Sequence, residues 1–156
     1  MKLINGSDLI HQLGMEYFQG GAVFGALPGE IIEYLMERGK VYAAKKGDLI
    51  YDAGDKGNYF MVILSGSVSF YKYHNGKYAY IRDHQFGEEL GFVAMIALHD
   101  RVGKAVAAEE SHIPEVSCTL FSQLQREHPA EFSIMLLNLA REMARTISYS
   151  NDIIVD

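Results

Sequence analysis

The 156 residues fit one domain of ordinary size, and 49% hydrophobic with 22% charged residues exclude a globally disordered chain. A formal net charge of −6 argues against a nucleic-acid partner, because no basic stretch is concentrated enough to track phosphates. No apolar run reaches membrane-spanning length, residues 1–20 lack a secretory leader pattern, and the single Cys118 excludes an internal disulfide, so a cytoplasmic protein without a membrane partner is expected.

Asp8–Phe18 (DLIHQLGMEYF) has a helical pattern, with Leu9, Ile10, Leu13 and Tyr17 on one face, and Gly20-Gly21 breaks it. A second helix starts near Pro28, repeats Ile31, Ile32, Leu35 and Met36 at helical spacing, and ends on Arg38 and Gly39. From Lys40 the period shortens. Strands are predicted at Val41–Ala44, Leu49–Tyr51, Tyr59–Leu64, Val68–Tyr73, Tyr78–Ile81, Lys104–Ala108 and Pro114–Ser117. Asn75-Gly76 between two tyrosine-rich runs is a hairpin signal. Thr119 is placed to cap a helix over LFSQLQREH, Pro129 interrupts, and Ala130–Ser150 reads as one long helix.

That last helix carries Phe132, Leu136, Leu139, Met143 and Ile147 as an apolar stripe, which serves either a core face or a dimer seam. A second row of Ile134, Leu137 and Ala144 favours the seam. The fold class expected is mainly β with flanking helices: a double-stranded antiparallel β-roll, jelly-roll-like, with N-terminal helices and a long C-terminal helix. Residues 1–23 form an N-terminal helical extension, 24–150 the roll with its C-terminal helices, and 151–156 a tail.

Phe86–Ala107 holds the chemistry. A glycine-bracketed acidic turn (Gly87, Glu88, Glu89, Leu90, Gly91) feeds a short apolar run, and Arg101, Val102 and Gly103 follow. Free N–H groups at a helix start can seat an anion, and a guanidinium fork can close over it. This stretch therefore reads as an anion pocket.

Gly47-Asp48-Leu49-Ile50, Gly54-Asp55-Lys56-Gly57 and Tyr59–Val68 (YFMVILSGSV) resemble the opening signature of the cyclic nucleotide-binding domain family. That is the module of catabolite activator proteins and of protein kinase A regulatory subunits. The resemblance covers about Phe24–Ser150. It implies that Phe86–Ala107 is the phosphate-binding cassette, with a C-terminal helix over the mouth. It assigns Glu89, or alternatively Glu88, to the ribose hydroxyl, Leu90 as companion, and Arg101 to the cyclic phosphate. It also places Ser150 and Asn151 where activator proteins touch the adenine.

Three features depart from the family pattern. Glu88 stands where a glycine is usual, the Glu89-to-Arg101 interval is long, and Val102 replaces a serine or threonine. Losing that hydroxyl costs about 1.5–3 kcal/mol, roughly ten- to a hundredfold in affinity. Arg101 has an alternative as a solvent residue paired with Asp100 or Glu109.

The six histidines show no metal-ligand spacing, and Ser65, Ser67, Ser117 and Cys118 have no nucleophile context, so neither a metal, a cofactor nor an enzyme activity is expected. The reading is a stand-alone regulatory module that senses cyclic AMP or cyclic GMP and signals through its C-terminal helix as a homodimer over Ala130–Ser150, without direct DNA binding. The alternative is a degenerate roll that acts through protein contacts or takes another small effector.

Overall fold

The computed structural model describes the backbone of residues 1–155 and the side chains of residues 1–148. The chain opens with a short strand, β1 (Lys2–Ile4), and two helices, α1 (Gly6–Leu13) and α2 (Met15–Gln19). One helix is predicted over Asp8–Phe18. Instead Gly14, at φ 88°, separates two, and the Asn5 carboxamide caps the first by accepting from Asp8 N–H at 2.9 Å. α3 (Gly29–Arg38) starts after Pro28 and stops at Gly39 as the sequence predicts, with Ile31, Ile32, Leu35 and Met36 all buried.

The strands β2 (Val41–Ala44), β3 (Leu49–Tyr51), β4 (Tyr59–Val62), β5 (Val68–His74), β6 (Lys77–His84), β7 (Glu89–Leu90), β8 (Gly103–Ala107) and β9 (Ser111–Ser117) follow. They form two antiparallel sheets, ordered β1-β2-β9-β4-β7 and β3-β8-β5-β6. With the flanking helices this is the β-roll expected. Asn75 and Gly76 turn the β5–β6 hairpin, both at positive φ, and pair Tyr73 with Tyr78 and Tyr71 with Tyr80.

β4 explains its unbroken apolar run by being buried on both faces. Phe60, Val62 and Leu64 join the core under the helices, while Met61 and Ile63 join the core inside the roll. The predicted strand runs to Leu64, but its ladder ends at Val62. Beyond it, Ile63 N–H donates to Glu88 O and Ile63 O accepts from Gly87 N–H, so the chain leaves the sheet to hold the Gly87–Glu88 turn.

α5 (Cys118–Glu127) is capped two residues earlier than predicted: the Ser117 hydroxyl, not Thr119, accepts from Leu120 N–H at 3.1 Å. α6 (Pro129–Val155) is a single helix of 27 residues, roughly 40 Å long. Its buried face is Phe132, Met135, Asn138 and Leu139; of the predicted stripe, Leu136 and Ile147 are 38% and 60% exposed, so the stripe does not serve as a whole as a core face. The inner face contains a polar residue, Asn138, whose carboxamide donates to two backbone carbonyls, and hydrophobic spacing alone could not place it. Among the described residues, no helix is long and apolar enough to cross a membrane.

Candidate ligand-binding site

The cassette turn is built into the roll wall. β7 pairs with β4, setting Leu90 opposite Met61 and Glu89 opposite Val62, and Gly87 N–H donates to Ile63 O at 2.7 Å. Leu90 is buried in the roll interior. A two-residue strand carrying a buried carboxylate shows no alternation, which is why the sequence did not reveal it. Gly91 then turns the chain at φ 85° into α4 (Phe92–Ala97), the short apolar run after the turn.

The two carboxylates go different ways. Glu89 is 8% exposed and accepts from Phe92 N–H at 2.9 Å, facing the start of α4. Burial raises its pKa, opposed by the Phe92 N–H and the Arg82 charge. Glu88 instead pairs with Arg82 at 3.1 Å and accepts from Gln85 N–H at 2.9 Å, so its charge is already balanced.

Arg82 and His84 were not anticipated; the only signal was their position on the strand entering the turn. His84 Nδ1 lies 2.9 Å from Glu89 O, which can only accept, and 3.3 Å from Arg82 Nη2, which can only donate; the shorter contact favours a proton on Nδ1. Burial, then the Arg82 charge, holds its pKa down to about 4.

Arg101 points inward, against the alternative of a solvent residue paired with Asp100 or Glu109. It is 4% exposed. Nη1 donates to Gly91 O at 2.7 Å and Nη2 to Tyr59 O, so the guanidinium spans the long interval back to the turn. The rings of Tyr51 and Tyr59 lie 4.4 and 4.5 Å from its Cζ, and Nε is buried without a partner. Among the described residues, no carboxylate forms an ion pair with it. Gly91 is required here twice, by its positive φ and because a Cβ would collide with Arg101 Nη1.

Val102 is half-exposed, and buried Gly103 begins β8 against the Phe70 ring. An open cleft of about 520 Å³ is lined by Ala53, Gly54, Tyr73, Tyr78, Arg101 and Val102; Glu89 is not in its lining. The side chains of Ser150 and Asn151 lie outside the described residues. Among the described residues, no group of three His, Cys, Asp or Glu is placed to hold a metal ion. What the arrangement can do is receive an anion: among the described residues the desolvated guanidinium has only neutral acceptors, and its Nε and remaining Nη hydrogens are unspent.

Several solved structures share this fold. A cyclic nucleotide-binding domain from Methylobacillus flagellatus KT is 24% identical at TM-score 0.83, over 99% of this chain and 87% of that one. The Thermus thermophilus catabolite activator protein is 22% identical at TM-score 0.69, over 86% of this chain and 63% of that one. The N-terminal domain of a transcriptional regulator from Streptomyces coelicolor is 19% identical at TM-score 0.65, over 87% of this chain and 95% of that one. No curated protein matches the chain. At these identities the likeness establishes the fold. The family description "Cyclic nucleotide-binding domain" matches residues 43–128, more than half of the chain. On that match, with the roll in place, the chain belongs to the cyclic nucleotide-binding domain family.

Proposed function

We propose that this chain is a cytoplasmic, non-enzymatic sensor that binds cyclic AMP or cyclic GMP in the cassette and signals through the position of α6. One observation carries the reading: the Arg101 guanidinium is buried and, among the described residues, forms no ion pair with a carboxylate. An unpaired buried charge costs several kcal/mol, of which cation–π contacts and carbonyl bonds offset a part. A cyclic phosphate would offset more, accepting from Nε and the remaining Nη hydrogens. Glu89, set in the same wall, is the carboxylate to accept from a ribose hydroxyl.

Ligand binding would then favour one position of α6 over another. The outward residues Leu137, Ala140, Ala144 and Ile147 are all exposed and follow a three-four-three spacing, which suits a seam with a second copy of α6. A homodimer through residues 130–150 follows, with no direct role in DNA or membrane binding.

A second reading has its own support. Val102 offers no hydroxyl, and both Nη groups of Arg101 are already held by carbonyls, as in a roll that has lost nucleotide binding and acts through protein contacts. Isothermal titration separates the two. Saturable binding of either cyclic nucleotide is expected, and silence from both at millimolar ligand sinks the sensor reading. A thermal-shift screen across nucleotides and small acids would then tell a degenerate roll from one tuned to another effector.

A further inference from the structure

Between α2 and α3 runs a segment, Gly20–Pro28, that lies outside the sheets yet is fastened to both the cassette and α6. Val23, Phe24 and Leu27 are each 1% exposed or less. Toward the cassette, Val23 N–H donates to Gly87 O at 3.1 Å, and the Tyr17 and Phe86 rings stand 4.6 Å apart. Gly21 and Gly87 press together so closely that a Cβ on Gly21 would lie 2.7 Å from Gly87 Cα. Toward α6, Asn138 Nδ2 donates to Val23 O at 3.0 Å and to Gly25 O at 2.8 Å.

Val23 is thus bonded on both sides, its N–H to the cassette turn and its C=O to the long helix. Asn138 is 8% exposed on a face otherwise made of Phe132, Met135 and Leu139. Packing alone would be served by an apolar residue there. Its two amide hydrogens are instead spent on two carbonyls, the buried one of Val23 and the part-buried one of Gly25.

We infer that Asn138 is a positioning residue that ties α6 to the cassette turn through Val23, so that a shift of Gly87 and a shift of α6 are one event. The sensor reading supplies what moves the turn, but the link itself can be tested without ligand. A merely structural Asn138 would hold α6 in place and leave the cassette unaffected.

The test is amide hydrogen exchange followed by NMR on the ligand-free protein, wild type against Asn138→Leu. The Val23 and Gly87 amides should exchange at least about tenfold faster, equivalent to roughly 1.4 kcal/mol of protection. The Leu64 and Ala107 amides, bonded within the roll, should stay within about twofold of wild type. Wild-type protection at Val23 and Gly87, with α6 loosened, overturns the link.

Should that variant fail to fold, Gly21→Ala tests the reverse direction. It presses on Gly87 and leaves Asn138 untouched, so the Asn138 side-chain amide resonances should shift while those of exposed Gln125 do not. Unmoved Asn138 resonances overturn the link. Cyclic AMP added to wild type should move the same resonances. Failure of cyclic AMP to bind counts against the sensor reading alone, because the two ligand-free measurements decide the link.

Discussion

Arg82 and Arg101 both border the cassette, and they are held in opposite ways. The Arg82 side chain is 32% exposed and paired with Glu88 at 3.1 Å, while Arg101 is 4% exposed and, among the described residues, meets only carbonyls and two tyrosine rings. The carboxylates divide in the same way. Glu88 lies in the outer ion pair, and Glu89 is buried in the wall with a backbone N–H as partner. A partly exposed ion pair is screened, contributes at most about 1 kcal/mol, and does not need a ligand. A buried cation with neutral acceptors is different: its charge remains available to an anion. Similar residue types therefore make a structural brace outside and a candidate recognition group inside, and burial is what separates them.

The sharpest break in that contrast is Arg101→Ala. If the inner arginine holds the phosphate, cyclic nucleotide affinity falls by roughly 3–5 kcal/mol, more than a hundredfold, in a calorimetric titration. Wild-type affinity would remove Arg101 from the site.

Acid should expose the next largest effect. Burial and Arg82 keep His84 neutral, with its pKa lowered from 6.5 to about 4. The stability this contributes is complete above pH 6.5 and lost as pH falls through about 4, on the order of 3 kcal/mol. Glu89 has the opposite sign: its raised pKa contributes stability at acid pH that is lost as pH rises through the folded value. Urea unfolding across this range should therefore show a decline on acidification that His84→Asn flattens and Glu89→Gln steepens.

Gly91→Ala tests the packing that admits Arg101. Positive φ and the collision with Nη1 should together lower stability by about 2 kcal/mol in denaturant titration. An unchanged midpoint would show that Arg101 has another position open to it. Val102→Ser restores a hydroxyl near the guanidinium and should tighten cyclic nucleotide binding by about 1.5 kcal/mol, near tenfold. The smallest change belongs to the outer pair. Arg82→Ala and Glu88→Ala should each alter stability by less than about 1 kcal/mol, and a larger loss would erase the distinction between the two arginines.

Much of the roll was legible because local chemistry decided it. Asn75-Gly76, the alternating tyrosines and the glycine-punctuated runs each act over a few residues, and β2 and β3 match the predicted spans residue for residue. Elements that depend on distant partners were hidden. β1 is a strand only because β2 offers it an edge, and β7 only because β4 does. The cap of α5 moved from Thr119 to Ser117, since the end of β9 fixes where the helix can begin.

The sequence by itself determined the fold class, because hydrophobic period and turn residues are local properties, and it named a candidate site from the Gly-Glu-Glu-Leu-Gly and Arg101 pattern. It left open which glutamate sits in the wall, whether Arg101 faces solvent, and which face of α6 is inward. Those were decided by the tertiary structure. Arg82 draws Glu88 outward, Gly91 leaves room for the guanidinium between Tyr51 and Tyr59, and two carbonyls near α3 draw Asn138 to the buried side. A charge or an amide takes its role from the partner it meets, and these partners come together only when the chain is folded.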